Sequence, residues 1–90
     1  MKELLPEEDY RTLQIALLLR PEQGPLIKGG AGLRKVRVAL PGRGKRGGAR
    51  VIYFWRREEL LLLLDIYAKN EKENLSAAEL GQLVKHIEEL

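Results

Sequence analysis

Residues 50–57 read Arg-Val-Ile-Tyr-Phe-Trp-Arg-Arg. Val51 and Ile52 are β-branched, and Tyr53, Phe54 and Trp55 are aromatic, so an extended chain here carries apolar side chains on both faces. Such a strand belongs in the middle of a sheet, and the flanking sequence supplies its neighbours. Leu33–Leu40 alternates, with Val36, Val38 and Leu40 pointing one way and Lys35 and Arg37 the other. Leu60–Lys69 is a third apolar run. Its length and the alternation of Asp65, Tyr67 and Lys69 favour a strand over a helix, despite five consecutive leucines. Pro41–Gly48 reads as a flexible, basic, glycine-rich loop between the first two strands. The Arg57-Glu58-Glu59 connection lacks the Gly, Asn or Asp that a tight hairpin prefers.

Helices bracket these strands. Ser76-Ala77-Ala78-Glu79 is a capping box, and Leu75 and Leu80 stand at the positions of a hydrophobic staple. Leu80, Leu83, Val84, Ile87 and Leu90 then recur at helical spacing. Gly81 either weakens this helix or permits a close approach to the sheet. Residues 6–19 read as the other helix, with Pro6 in the first turn and Glu7, Glu8 and Asp9 matching the helix dipole. Tyr10, Leu13 and Leu17 form its apolar stripe, which Ile15, Leu18 and Leu19 widen; Pro21 ends it. Gln23–Gly32 is a turn-rich connection. The expected fold is α+β: a single domain over residues 1–90, in the order helix, three-strand antiparallel meander, helix.

Charge is strongly segregated along the chain. From Gln23 to Arg57 there are ten basic residues and no acid, and the rest carries six Lys/Arg with all thirteen Asp/Glu. The net +3 is thus a +10 centre set against flanks of −7. Segregation on this scale suits a surface that meets a polyanion, most often nucleic acid. With no cysteine and one histidine, disulfides, thiolate chemistry and a structural zinc site are not expected. No run reaches the ~18–20 apolar residues of a membrane span, and the start shows no signal-peptide pattern.

The motifs narrow the chemistry. Gly42-Arg43-Gly44-Lys45-Arg46-Gly47 matches G-x-G-x-x-G, but the expected strand after it, in place of a helix, excludes a dinucleotide fingerprint. It reads as an ordinary hairpin loop or as an arm whose Arg43, Lys45 and Arg46 contact phosphates. Lys35 and Arg37 share a face, Arg50 opens the next strand, and Tyr67 and Lys69 share a face of the third. If these converge, they can orient a phosphodiester and stabilise its negative charge; the alternative is a solvated face of snorkelling cations. Lys28 and Arg34 add to the basic surface. Ser76, the one serine, serves as a cap, so no Ser-His-Asp triad is available. The pairs Glu58-Glu59 and Glu88-Glu89 read as solvated, and His86 as surface.

The run "GGAGLRKVRVALPGRGKRGGARVIYFW", followed by "YAKNEKENLSAAEL", resembles the RelE/HigB-like toxins of bacterial type II toxin–antitoxin systems, within the RelE/ParE superfamily. The resemblance runs from about Glu3 to Leu90. It implies a microbial RNase-type fold and a bacterial, cytoplasmic toxin that cuts mRNA in the ribosomal A site, by attack of the ribose 2′-hydroxyl on the adjacent phosphate. No metal or other cofactor is implied. By motif position, Lys35 and Arg37 match the basic pair of the first core strand, Arg50 the arginine before "VIY", and Lys69 the basic residue after the last strand. Tyr67 is the candidate for the late Tyr or His of some members. The implied binding set is Lys28, Arg34, Arg43, Lys45 and Arg46. The implied partners are the ribosome, mRNA and a cognate antitoxin, with a helix-turn-helix DNA-binding type as one candidate. Family members begin with an extra strand that has no counterpart here, so the sheet is expected to be one edge strand short or to have that edge covered by a partner. The alternatives are a ParE-like gyrase inhibitor and an inert RNA- or ribosome-binding module.

Overall fold

The computed structural model describes residues 7–40, 44–56, 60–68 and 74–90, with the side chains at 39, 40 and 44–47 outside that description. Its elements run α1 (Glu7–Leu19), β1 (Leu33–Leu40), β2 (Gly44–Arg56), β3 (Leu60–Ala68) and α2 (Ala77–Glu88). The sheet has the order β1-β2-β3, with both pairs antiparallel. This is the α+β meander with flanking helices that the sequence predicts. No helix among the described residues is long and apolar enough to cross a membrane.

The two apolar faces of β2 serve two separate cores. Ala49, Val51 and Tyr53 pack with Ile66 of β3 and with Leu13 and Leu17 of α1. Ile52 packs with Leu33, Tyr67 and Ile87 of α2. Because side chains alternate along a strand, α1 covers one face of the sheet and α2 the other. Leu75, Leu80, Leu83 and Val84 complete the α2 core. That helix starts as expected: Glu79 N donates to Ser76 Oγ at 3.1 Å, and Ser76 N donates to Glu79 Oε1 at 2.9 Å.

Several details differ from the sequence reading. β2 begins at Gly44, so residues 44–48 are strand and not loop. Leu40 pairs with Gly44 while Val38 pairs with Ala49. That irregularity takes up the extra residues of β2 and leaves the ladder to continue through a glycine-rich stretch. The apolar stripe of α1 is narrow: Leu13 and Leu17 are buried, but Ile15, Leu18 and Leu19 are 53%, 65% and 77% exposed. Leu90 is also exposed. Gly81 faces open space, and no atom lies within 4 Å of the Cβ it lacks, so it mediates no close approach. The leucine run is a strand with a bulge. Ile52 pairs with Asp65 but Tyr53 pairs with Leu63; the extra residue, Leu64, packs in the α2 core while Leu63 packs in the α1 core.

The segment between α1 and β1 also shapes the site. Ile27 N donates to Leu33 O at 2.8 Å, and Lys35 N donates to Pro25 O at 3.1 Å. Residues 25–27 thus lie beside the outer edge of β1, with Leu26 bridged to Arg34.

Candidate functional site

Strand register assembles the site. Arg37 of β1 lies directly across from Arg50 of β2, and Arg50 lies directly across from Tyr67 of β3. The three form one row across the sheet on the face that α2 covers. Lys35, two residues from Arg37, shares that face and pairs with Ile52. Like charges directly opposite on neighbouring strands destabilise a sheet, so the Arg37–Arg50 pair carries an electrostatic cost that an anion would relieve.

These cations line a cleft of about 590 Å³, together with Gln23, Pro25, Val36 and Asn74. No carboxylate is among the described residues that line it. Arg37 is exposed, whereas Arg50 is only 8% exposed. Burial of an arginine is unexpected from sequence, where Arg50 reads only as the residue that opens the second strand. It sits on the central strand between two neighbours, so its guanidinium rises from the floor of the cleft. Lys35 Nζ donates to Asn74 Oδ1 at 2.8 Å, tying β1 to the segment that enters α2.

The segment that carries Gln23 and Pro25 to the cleft is fixed from beneath. Tyr53 Oη donates to Pro21 O at 2.7 Å and accepts from Gly24 N at 2.9 Å. Arg34 donates to Gly24 O at 2.8 Å and Glu22 O at 3.1 Å, and its guanidinium lies 5.8 Å from the Trp55 ring centroid. A Cβ on Gly24 would stand 2.8 Å from both Lys35 O and Tyr53 Oη. Residues 21–25, which carry Gln23 and Pro25 to the cleft, therefore have little room to shift. Burial raises the Tyr53 phenol above its ordinary value of 10.0, and the Gly24 N–H and the Arg34 charge partly offset that rise.

Among the residues singled out from sequence, Lys35, Arg37 and Arg50 come together. Tyr67 is their row neighbour but fully buried; it packs with Leu33, Ile52 and Ile87 and lines a second groove, not the first cleft. Lys28 is exposed beside that second groove. Arg34 belongs to the structural network just described and is held away from the cleft. Lys69 and Arg43 lie outside the described residues, as do the side chains of Lys45 and Arg46. His86 is exposed on α2. Among the described residues no group of three or more His, Cys, Asp or Glu could hold a metal ion.

Sequence reasoning missed Gln23, Pro25 and Asn74. Pro25 belongs to a visible turn signal, Gly24-Pro25. Asn74 stands two residues before the Ser76 cap, a position that marks where the chain enters α2 but carries no chemical signature. Residues 20–89 match the family model described as the RelE toxin of the RelE/RelB toxin–antitoxin system. The match spans the loop, all three strands and α2, and includes every cation of the cleft. This chain therefore belongs to the RelE toxin family and is a toxin of a toxin–antitoxin system, with an antitoxin as its partner.

Proposed function

We propose that the chain is a ribosome-dependent endoribonuclease that cuts mRNA in the A site. The observation that carries the reading is the Arg37–Arg50 cross-strand pair, set beside Lys35 in a cleft lined by no described carboxylate. In the proposed step the ribose 2′-hydroxyl oxygen attacks the adjacent phosphorus. Its proton is lost as the new P–O bond forms, the bond to the leaving ribose oxygen breaks, and that oxygen takes up a proton. The products are a cyclic phosphate and a free hydroxyl end. The step needs stabilisation of negative charge on the phosphoryl oxygens together with proton transfer. Arg50 can hold two phosphate oxygens through its planar guanidinium, and Arg37 and Lys35 add charge from one side. Lys69 completes the proposed set. Tyr67, directly across from Arg50, is buried and lines the adjoining groove in place of this cleft, so its proposed part is to support the row from within the core and not to transfer the proton. Such activity places the protein in the bacterial cytoplasm.

The test is induced expression with mapping of mRNA 5′ ends. Cuts in register with codons are expected, and Arg50→Ala should lower their rate by on the order of 10²–10³, the typical loss for one preorganised donor. Because Arg50 is buried, the variant's thermal unfolding is measured beside its activity, and Arg50→Lys provides a form that keeps the charge. Parental cutting by both Arg50→Ala and Lys69→Ala would refute the site. Gyrase-linked DNA damage without codon-phased cuts would instead establish the ParE-like reading, and neither outcome would leave a binding module.

A further inference from the structure

A second groove, of about 440 Å³, adjoins the basic cleft. The two share Pro25, Lys35 and Asn74 as lining residues, so the Lys35–Asn74 hydrogen bond stands at the boundary between them. Their chemistry differs sharply. The first cleft is lined by cations; the second is walled by the half-buried Ile27, Leu75 and Leu80 above the buried Ile52 and Tyr67, with Leu26 exposed at its rim. Lys28 is the other cation among its described lining residues, and no described carboxylate lines it.

We propose that this groove seats the nucleobase of the nucleotide whose phosphate rests on Arg37 and Arg50. The inference rests on the reading of the first cleft as a phosphodiester site. Three observations select this occupant. The groove adjoins the cleft and shares Pro25, Lys35 and Asn74 with it, as a base is joined to its phosphate through one ribose. Its walls are apolar, which suits the faces of a heterocycle and not another charged group. Its described lining includes two cations, Lys35, shared with the cleft, and Lys28, which suit a backbone that carries a negative charge at each phosphate. Lys35 then has two states: bound to Asn74 when the site is empty, and turned to phosphate when the nucleotide is in place.

The test uses the purified toxin and calorimetric titration with three probes: inorganic phosphate, ribose 5-phosphate and adenosine 3′-monophosphate. The nucleotide should bind about tenfold tighter than either phosphate lacking a base, a difference set by apolar burial. Leu26→Ser and Leu80→Ser should each erode that advantage and leave the affinity for inorganic phosphate unchanged. Leu26 is exposed, so its variant carries no folding penalty that could mimic the result. If phosphate binds and the base adds nothing, the groove proposal is overturned while the first cleft stands. If inorganic phosphate itself fails to bind, the reading of the first cleft falls. If the two serine variants lose affinity for the antitoxin but keep the full nucleotide advantage, the groove holds a partner side chain and the proposal is wrong.

Discussion

Arg50 and Tyr53 are three residues apart on one strand, and the alternation of that strand separates their environments. Arg50 opens toward the cleft on the α2 side; Tyr53 reaches from the α1 core under the sheet edge to hold residues 21–25. The apolar, aromatic character of Tyr53 made it legible as core. Its hydroxyl was not legible, because its partners, Pro21 and Gly24, are about thirty residues away and offer backbone groups that have no sequence signature. The burial of Arg50 escaped for a related reason: composition marks an arginine as polar, and only the register shows that it lies between Arg37 and Tyr67. Tyr53→Phe leaves the Gly24 N–H and the Pro21 carbonyl without this partner, at a cost of about 1–3 kcal/mol in urea unfolding at neutral pH. The phenol also sets a pH dependence. Its pKa is raised in the folded state, so the stability it contributes is fully present below about pH 10 and is lost as pH rises through the raised value. The difference between parent and Tyr53→Phe should therefore shrink in strongly alkaline solution; a difference that is flat with pH would contradict the assignment.

Elements were the most readable scale where local chemistry decides and the least readable where pairing decides. The capping box of α2 is a contact among four consecutive residues, and it is found as written in the sequence. The glycine-rich start of β2 is the opposite case. Nothing in Gly44–Gly48 favours a strand, and the pairing of Gly44 with Leu40 and of Ala49 with Val38 ties both ends of the stretch to β1. Neither does the leucine run betray its bulge, since five identical residues carry no period of their own. In α1 the apolar residues outnumber those the sheet can cover, so sequence periodicity overstated the buried stripe. Gly81 gives an element-scale prediction. It lies in mid-helix, exposed, with open space around the missing Cβ. Gly81→Ala should stabilise the protein by about 0.5–1 kcal/mol through helix propensity and a less flexible unfolded chain. Chemical denaturation would check this, and a loss of stability would mean that α2 packs more closely at position 81 than the structure shows.

At the scale of the whole molecule, the sequence reads as one basic block between acidic flanks, but the fold divides that block by task. Arg34 is spent on holding the loop, while Lys35, Arg37 and Arg50 gather in the cleft. Charge segregation suits a surface that meets a polyanion; it could not say which cations would gather, because that depends on strand alternation and register. The consequence is measurable in salt. Each phosphate neutralised on a single strand contributes a slope of about −0.7 to log K against log salt. If the proposed reading holds, the three described cleft cations, Lys35, Arg37 and Arg50, set a slope of about −2 or steeper for RNA or ribosome binding. Arg37→Ala should make that slope shallower by about 0.7, whereas neutralising Arg34 should weaken the fold before it changes the slope. Binding insensitive to ionic strength would remove the electrostatic basis of the site.

Gly24 makes no contact with a ligand in any of these readings, yet the space around it leaves little room for inheritable change. Every replacement for glycine adds at least a Cβ, and here that atom would press on the carbonyl of Lys35 and the hydroxyl of Tyr53 together. A lysine at position 37 would keep a positive charge in the cleft, and another aliphatic residue at position 27 would keep an apolar wall in the adjoining groove. At position 24 a single codon change has no neutral destination. Its escape would require β1 and Tyr53 to shift together, and both are already committed to the geometry of the site.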